Sequence, residues 1–116
     1  MLINAESLVK QVAQNINEVN IEQLSQVLAT DVCLVDVREP NEYAQSAIAG
    51  MVNMPRGLLE FQIANHPKLQ DENTPIYLIC RSGGRSALAA ESLERMGYKS
   101  VYSVAGGMMA WENALQ

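Results

Sequence analysis

The feature that most constrains this chain is a set of short apolar runs, each stopping at a polar turn and followed by a helical pattern. "VCLVDV" at 32–37 and "IYLIC" at 76–80 are nearly continuous in apolar residues. A strand with one wet face would alternate instead, so both read as strands buried on two sides. "MVNMP" at 51–55 and "SVYSV" at 100–104 read as two further short strands. Helical patterns lie between them. "AESLVKQVAQNI" at 5–16 puts Leu8, Val12 and Ile16 on one stripe, and "NIEQLSQVLAT" at 20–30 groups Ile21, Leu24, Val27 and Leu28. "REPNEYAQ" opens a helix with proline and acids at its start, as the helix dipole favours. "GLLEFQIANHP" predicts a helix with Leu58, Leu59, Phe61 and Ile63 inward, and the helix over roughly 85–96 stops at Gly97. A last helix follows in "AGGMMAWENALQ". Strands alternating with helices predict an α/β fold, a mainly parallel sheet with helices on both faces. The length of 116 residues fits one such domain.

In sheets of this kind ligands bind beyond the carboxyl ends of the strands, where helix N-termini point. "CRSGGRS" at 80–86 occupies such a place, between "IYLIC" and the helical "SALAAESLERMG". A strand-to-helix turn has no need of a thiol flanked by two guanidinium groups. The helix behind the loop presents unpaired N–H groups and a positive dipole end. Arg81 and Arg85 add permanent positive charge. Gly83 and Gly84 allow the backbone to curl its N–H groups toward the sulfur, and Ser82 and Ser86 offer hydroxyl donors. A lone cysteine at a strand end is most often a small buried hydrophobe; the conjunction of arginines, glycines and helix start points instead to a nucleophile that attacks an anion and holds a charged adduct.

Two reaction classes use such a cradle. The familiar tyrosine-phosphatase pattern puts five residues between cysteine and arginine, whereas four separate Cys80 from Arg85. The shorter ring suits one extra sulfur on the cysteine better than a phosphoryl group, and the loop contains no acid to protonate a leaving group. Cys33 lies inside "VCLVDV" and reads as a core residue. If the two strands are parallel neighbours, Cys33 begins one and Cys80 ends the other, an offset of roughly 13 Å that no disulfide spans. His66, the only histidine, reads as a surface residue at a helix end.

The formal net charge of −5 argues against a nucleic-acid or anionic-membrane partner. Even so, Arg38, Arg56, Arg81 and Arg85, half of the basic residues, adjoin strand ends, so a local anion site is compatible with an acidic protein. Two cysteines make neither a disulfide scaffold nor a metal-ligand pattern. The N-terminus lacks a basic region with a continuous apolar core, and no run approaches the ~20 residues of a membrane span. The expected location is cytoplasmic.

Three blocks, in order, resemble the rhodanese (sulfurtransferase) family: "LVDVREPNEY" at 34–43, the loop "CRSGGRS", and "GGMMAW" at 106–111. Together they span about residues 20–113. The resemblance implies a rhodanese-like α/β fold with a five-stranded sheet over residues 18–116, preceded by a helical extension at 1–17. It implies that Cys80 accepts a sulfane sulfur from a small anionic donor such as thiosulfate, or from a persulfide, and yields it to cyanide or to an external or protein thiol. No cofactor or metal is implied. By motif match, Arg81, Ser82, Gly83, Gly84, Arg85 and Ser86 form the substrate cradle, with Arg85 closing the ring. Asp36 and Arg38 support the loop by hydrogen bonds; Gly106, Gly107 and Trp111 are architectural. Where the family usually has Gly-His, this chain has Ser46 and Ala47. Two other functions suit the same fold: a cysteine-dependent phosphatase using the Cys80 loop, and a non-catalytic module that docks a protein partner through the N-terminal helix.

Overall fold

The computed structural model describes residues 1–115. Five strands form one sheet: β1 (Asn17–Val19), β2 (Cys33–Asp36), β3 (Val52–Asn53), β4 (Ile76–Ile79) and β5 (Val101–Val104). Their order is β1-β5-β4-β2-β3, and every neighbouring pair is parallel. Six helices accompany them: α1 (Ala5–Ala13), α2 (Ile21–Val27), α3 (Pro40–Gln45), α4 (Leu59–Ile63), α5 (Gly84–Arg95) and α6 (Gly107–Ala114).

The apolar runs are continuous because the sheet has two cores. Val35, Val37, Ile76, Leu78 and Val101 point to one face, against Leu59 and Ile63 of α4 and Ala89, Ala90 and Leu93 of α5. Their neighbours Leu34, Tyr77, Ile79 and Val104 point to the other, against Leu24 of α2 and Met108 of α6. The period-2 alternation thus runs between two buried faces. Tyr77 and Tyr102, side by side on β4 and β5, stack at 4.7 Å.

Three expectations are corrected. The segment at 17–19 forms edge strand β1 and pairs with β5, so α1 ends at Ala13 and Ile16 meets the core from the connection. Leu8, expected on the buried stripe, is 42% exposed, while Val12 is buried. On α4, Leu59 and Ile63 are four apart and share the buried face. Phe61 lies two residues from each, about 200° round the helix, and is 73% exposed; Leu58 precedes the helix and is also exposed. No described helix is long and apolar enough to cross a membrane.

The candidate active site

Cys80 follows β4 directly and is buried. Its Sγ accepts hydrogen bonds from the N–H groups of Gly83 (3.1 Å) and Ser86 (3.4 Å), both at the start of α5. Gly83 makes the turn into that helix with φ of 112°. The Cys80 thiol also lies 3.6 Å from the Ser86 hydroxyl, which it reaches as donor. That hydroxyl is 3.2 Å from the Gly83 carbonyl, to which it donates, and pairs with Ser103 Oγ at 2.8 Å. Ser86 and Ser103 are both fully buried. A helix N-terminus therefore faces the sulfur with two N–H groups, and a buried hydroxyl pair stands behind it.

The first turn of α6 holds the loop from beneath. The Met108 N–H donates to the Cys80 carbonyl (2.8 Å) and the Met109 N–H to the Arg81 carbonyl (3.0 Å). This approach is open only because residue 107 has no side chain: a Cβ on Gly107 would lie 2.6 Å from the Arg81 carbonyl group and closer still to the Cys80 oxygen. Gly107 is thus more than a turn residue, since it brings α6 into contact with the loop.

Arg81 and Arg85 have different surroundings. Arg81 is exposed and lines a cleft of about 360 Å³ with Arg38, Glu42, Ser46, Met109 and Glu112. Ser82, Gly83 and Gly84 face another cleft, shared with Val9 and Lys10 of α1. Arg85 makes a bidentate ion pair with Glu42 of α3, at 2.7 and 3.0 Å. Hydrogen bonding from Arg85 pulls the Glu42 carboxyl down to about 2, and Glu42 in turn raises the Arg85 guanidinium. Arg85, the residue expected to close the ring about the sulfur, is engaged with Glu42. Its strong bonds run outward to a carboxylate, and the sulfur is served by backbone N–H groups.

Asp36 and Arg38 are buried and bind each other: Arg38 Nε and Nη2 donate to the Asp36 carboxylate at 2.9 to 3.1 Å. Arg38 also donates to the Ser46 carbonyl (2.7 Å). These side chains make no hydrogen bond to residues 80–86 and bind within their own segment and to Ser46. The direct link from this segment is backbone: the Val37 N–H donates to the Ile79 carbonyl, one residue before Cys80 (2.9 Å). Ser46 crosses the cleft, donating from its hydroxyl to Glu112 at 2.6 Å. Sequence reasoning passed over Glu42, Ser103 and Glu112. Glu42 sits at the third helical position after Glu39, a capping-box spacing that accounts for it locally and conceals its long-range partner.

Cys33 pairs in register with Ile76, four residues before Cys80, and both cysteines are free thiols. Half-buried at the other end of the sheet, Cys33 has its thiol pushed up by desolvation. His66 and Lys68 line the same distant cleft. Among the described residues no cluster of three or more histidine, cysteine or acidic side chains is placed to hold a metal.

The rhodanese-like domain model matches residues 9–114. The chain belongs to the rhodanese-like family. A sulfurtransferase of Allochromatium vinosum is 40% identical, over 83% of this chain and 88% of that protein. The Bacillus subtilis protein YrkF is also 40% identical, over 85% of this chain, which spans only about half (52%) of it. The thiosulfate sulfurtransferase GlpE of Pseudoalteromonas translucida is 36% identical over 72% of this chain and 76% of its own. Among solved structures, a Rhodopseudomonas palustris protein described as of unknown function, possible tyrosine phosphatase, superposes with a TM-score of 0.87 at 30% identity. That likeness covers 98% of this chain and 92% of the other. A human single-domain sulfurtransferase gives a TM-score of 0.75 at 25% identity, over 83% of this chain and 95% of its own.

Proposed function

We propose that this rhodanese-like protein is a sulfurtransferase that carries a sulfane sulfur as a persulfide on Cys80. The observation that carries this reading is the pair of N–H groups, from Gly83 and Ser86, directed at Sγ at the N-terminus of α5. Those donors stabilise negative charge on the sulfur, and the helix N-terminus behind them favours the charged persulfide that follows. The Cys80 sulfur attacks the sulfane sulfur of the donor, a new S–S bond forms, and the donor leaves with the electron pair of the broken bond. With thiosulfate the leaving group is sulfite; with an alkyl persulfide it is a thiol. The terminal sulfur then passes to cyanide or to an external or protein thiol. Cys33 is not the acceptor, since it stands at the opposite end of the sheet.

The test is to incubate the purified protein with thiosulfate, and separately with an alkyl persulfide, and to weigh it. A gain of about 32 Da, absent in Cys80→Ser, is expected. Absence of that gain with every sulfane donor would overturn the reading. The likeness to a possible tyrosine phosphatase gives a second reading one specific footing. Against it stand the four-residue spacing and an Arg85 already bound to Glu42. Hydrolysis of an aryl phosphate that depends on Cys80 would decide for the phosphatase.

A further inference from the structure

The cleft lined by Arg81 is close to electroneutral: Arg38 and Arg81 face Glu42 and Glu112, and Arg85 reaches its wall only through Glu42. Arg38 is paired with Asp36, and Arg85 with Glu42. Glu112 lies on the wall formed by α6 and is bound to the Ser46 hydroxyl. Arg81 has no carboxylate partner among the described residues. One uncommitted cation is poor provision for a substrate and a leaving group that each carry two negative charges.

Building on the sulfurtransferase reading, we propose that Glu42 sets the donor preference of this site. By holding Arg85 in a closed pair it leaves Arg81 as the one free cation at the mouth among the described residues, so the site favours an alkyl persulfide over thiosulfate. The chemistry of the two donors gives this its direction. Thiosulfate enters as a dianion, and as the Cys80–S bond forms and the S–S bond breaks, the electron pair leaves on sulfite, a second dianion. An alkyl persulfide, R–S–S–H, carries at most one charge on its sulfurs. When Cys80 takes the terminal sulfur, the electron pair leaves on R–S⁻, and the proton from the terminal sulfur passes to it. The products are the Cys80 persulfide anion and a neutral thiol. The first route needs two cations beside the sulfur, whereas Arg81 suffices for the second.

Glu42 takes one N–H from each terminal nitrogen of Arg85, so it withholds both charge and the fork geometry that would receive an oxyanion. It also accepts the Glu39 N–H (3.0 Å), a contact that a glutamine oxygen can keep. Glu42→Gln therefore removes the charge while preserving the helix start, and frees Arg85 for an anion. Glu42→Asp keeps the charge on a shorter arm and serves as the conservative control.

The experiment measures kcat/KM for sulfur loading of Cys80, by mass, with thiosulfate and with the persulfide of 2-mercaptoethanol. The wild type is expected to prefer the persulfide by about tenfold or more. In E42Q the thiosulfate value should rise about tenfold, while the persulfide value stays within about threefold. Inhibition by added sulfite should strengthen in parallel, and E42D should lie nearer the wild type. An unchanged donor ratio in E42Q, or an equal fall with both donors, would overturn the assignment and leave Glu42 a structural residue. Loading from neither donor in the wild type would overturn the sulfurtransferase reading itself, and this proposal with it, so the two failures are distinguishable.

Discussion

Gly107 shows how closely a single residue controls the site. It holds φ of +54°, a region that side chains enter with strain, and it sits where α6 touches the peptide groups of Cys80 and Arg81. Strain alone is shared with Gly97 at the end of α5, where φ is +108° and a Cβ would meet nothing within 4 Å. The two glycines therefore separate backbone strain from displacement of the loop. Gly97→Ala is expected to lower stability by about 1 kcal/mol and leave sulfur loading unchanged. Gly107→Ala should lower stability by more, about 2–3 kcal/mol, because the loop or α6 must move as well. It should also slow loading of Cys80 by at least about tenfold in the protein that remains folded. Chemical denaturation of both variants, with loading followed by mass, checks this. Equal loading rates in the two would deny Gly107 any part in setting the loop.

At the scale of elements, α3 and α5 are tied together beside the site through Glu42 and Arg85. Arg85 hydrogen bonding lowers Glu42 to about 2, against about 4.3 in an unfolded chain. A carboxylate lowered in the folded state stabilises the fold fully above its unfolded value and loses that contribution as pH falls through its folded one. The pair's contribution, present at pH 7, should therefore disappear between about pH 4.5 and 2. Both side chains are partly exposed, so about 1 kcal/mol or less is expected. The difference in unfolding free energy between wild type and E42Q should show that window. A difference that is constant from pH 7 to 2 would mean that the pair contributes through packing alone.

The sequence made such elements visible unevenly. The doubly buried strands β2 and β4 were legible because burial on both faces leaves a continuous apolar run, and α5 because its loop and terminal glycine mark both ends. Strand β1 was not, since two of its three residues are exposed and only pairing with β5 makes it a strand. The place of Cys80 between a strand end and a helix start was legible from the same pattern. The commitment of Arg85 was not, because its partner lies 43 residues away and already has a local reason to be acidic. Spacing along a chain shows which groups surround a nucleophile; which of them are already neutralised depends on contacts between distant elements.

Across the whole molecule, α1 is joined to the sheet and loop through α5. It lies against α5, with Val12 buried, and Val9 Cγ2 stands 3.7 Å from where a Cβ on Gly84 would be. Val9 and Lys10 also share a cleft of about 410 Å³ with Ser82, Gly83 and Gly84. A helix that only awaited a partner would leave the fold and the loop unchanged when removed. One that packs on the helix whose N-terminus faces Cys80 should affect both. Val12→Ala removes two methyl groups' worth of burial, so about 1–2 kcal/mol of stability should be lost at roughly 0.8 kcal/mol per group. Deleting residues 1–13 should lower stability further and expose Gly83 and Gly84 from behind, raising hydrogen exchange at the N–H groups that hold the sulfur. Denaturation and amide exchange on the two variants test this together. Wild-type stability and exchange in the truncated protein would assign α1 to partner binding instead.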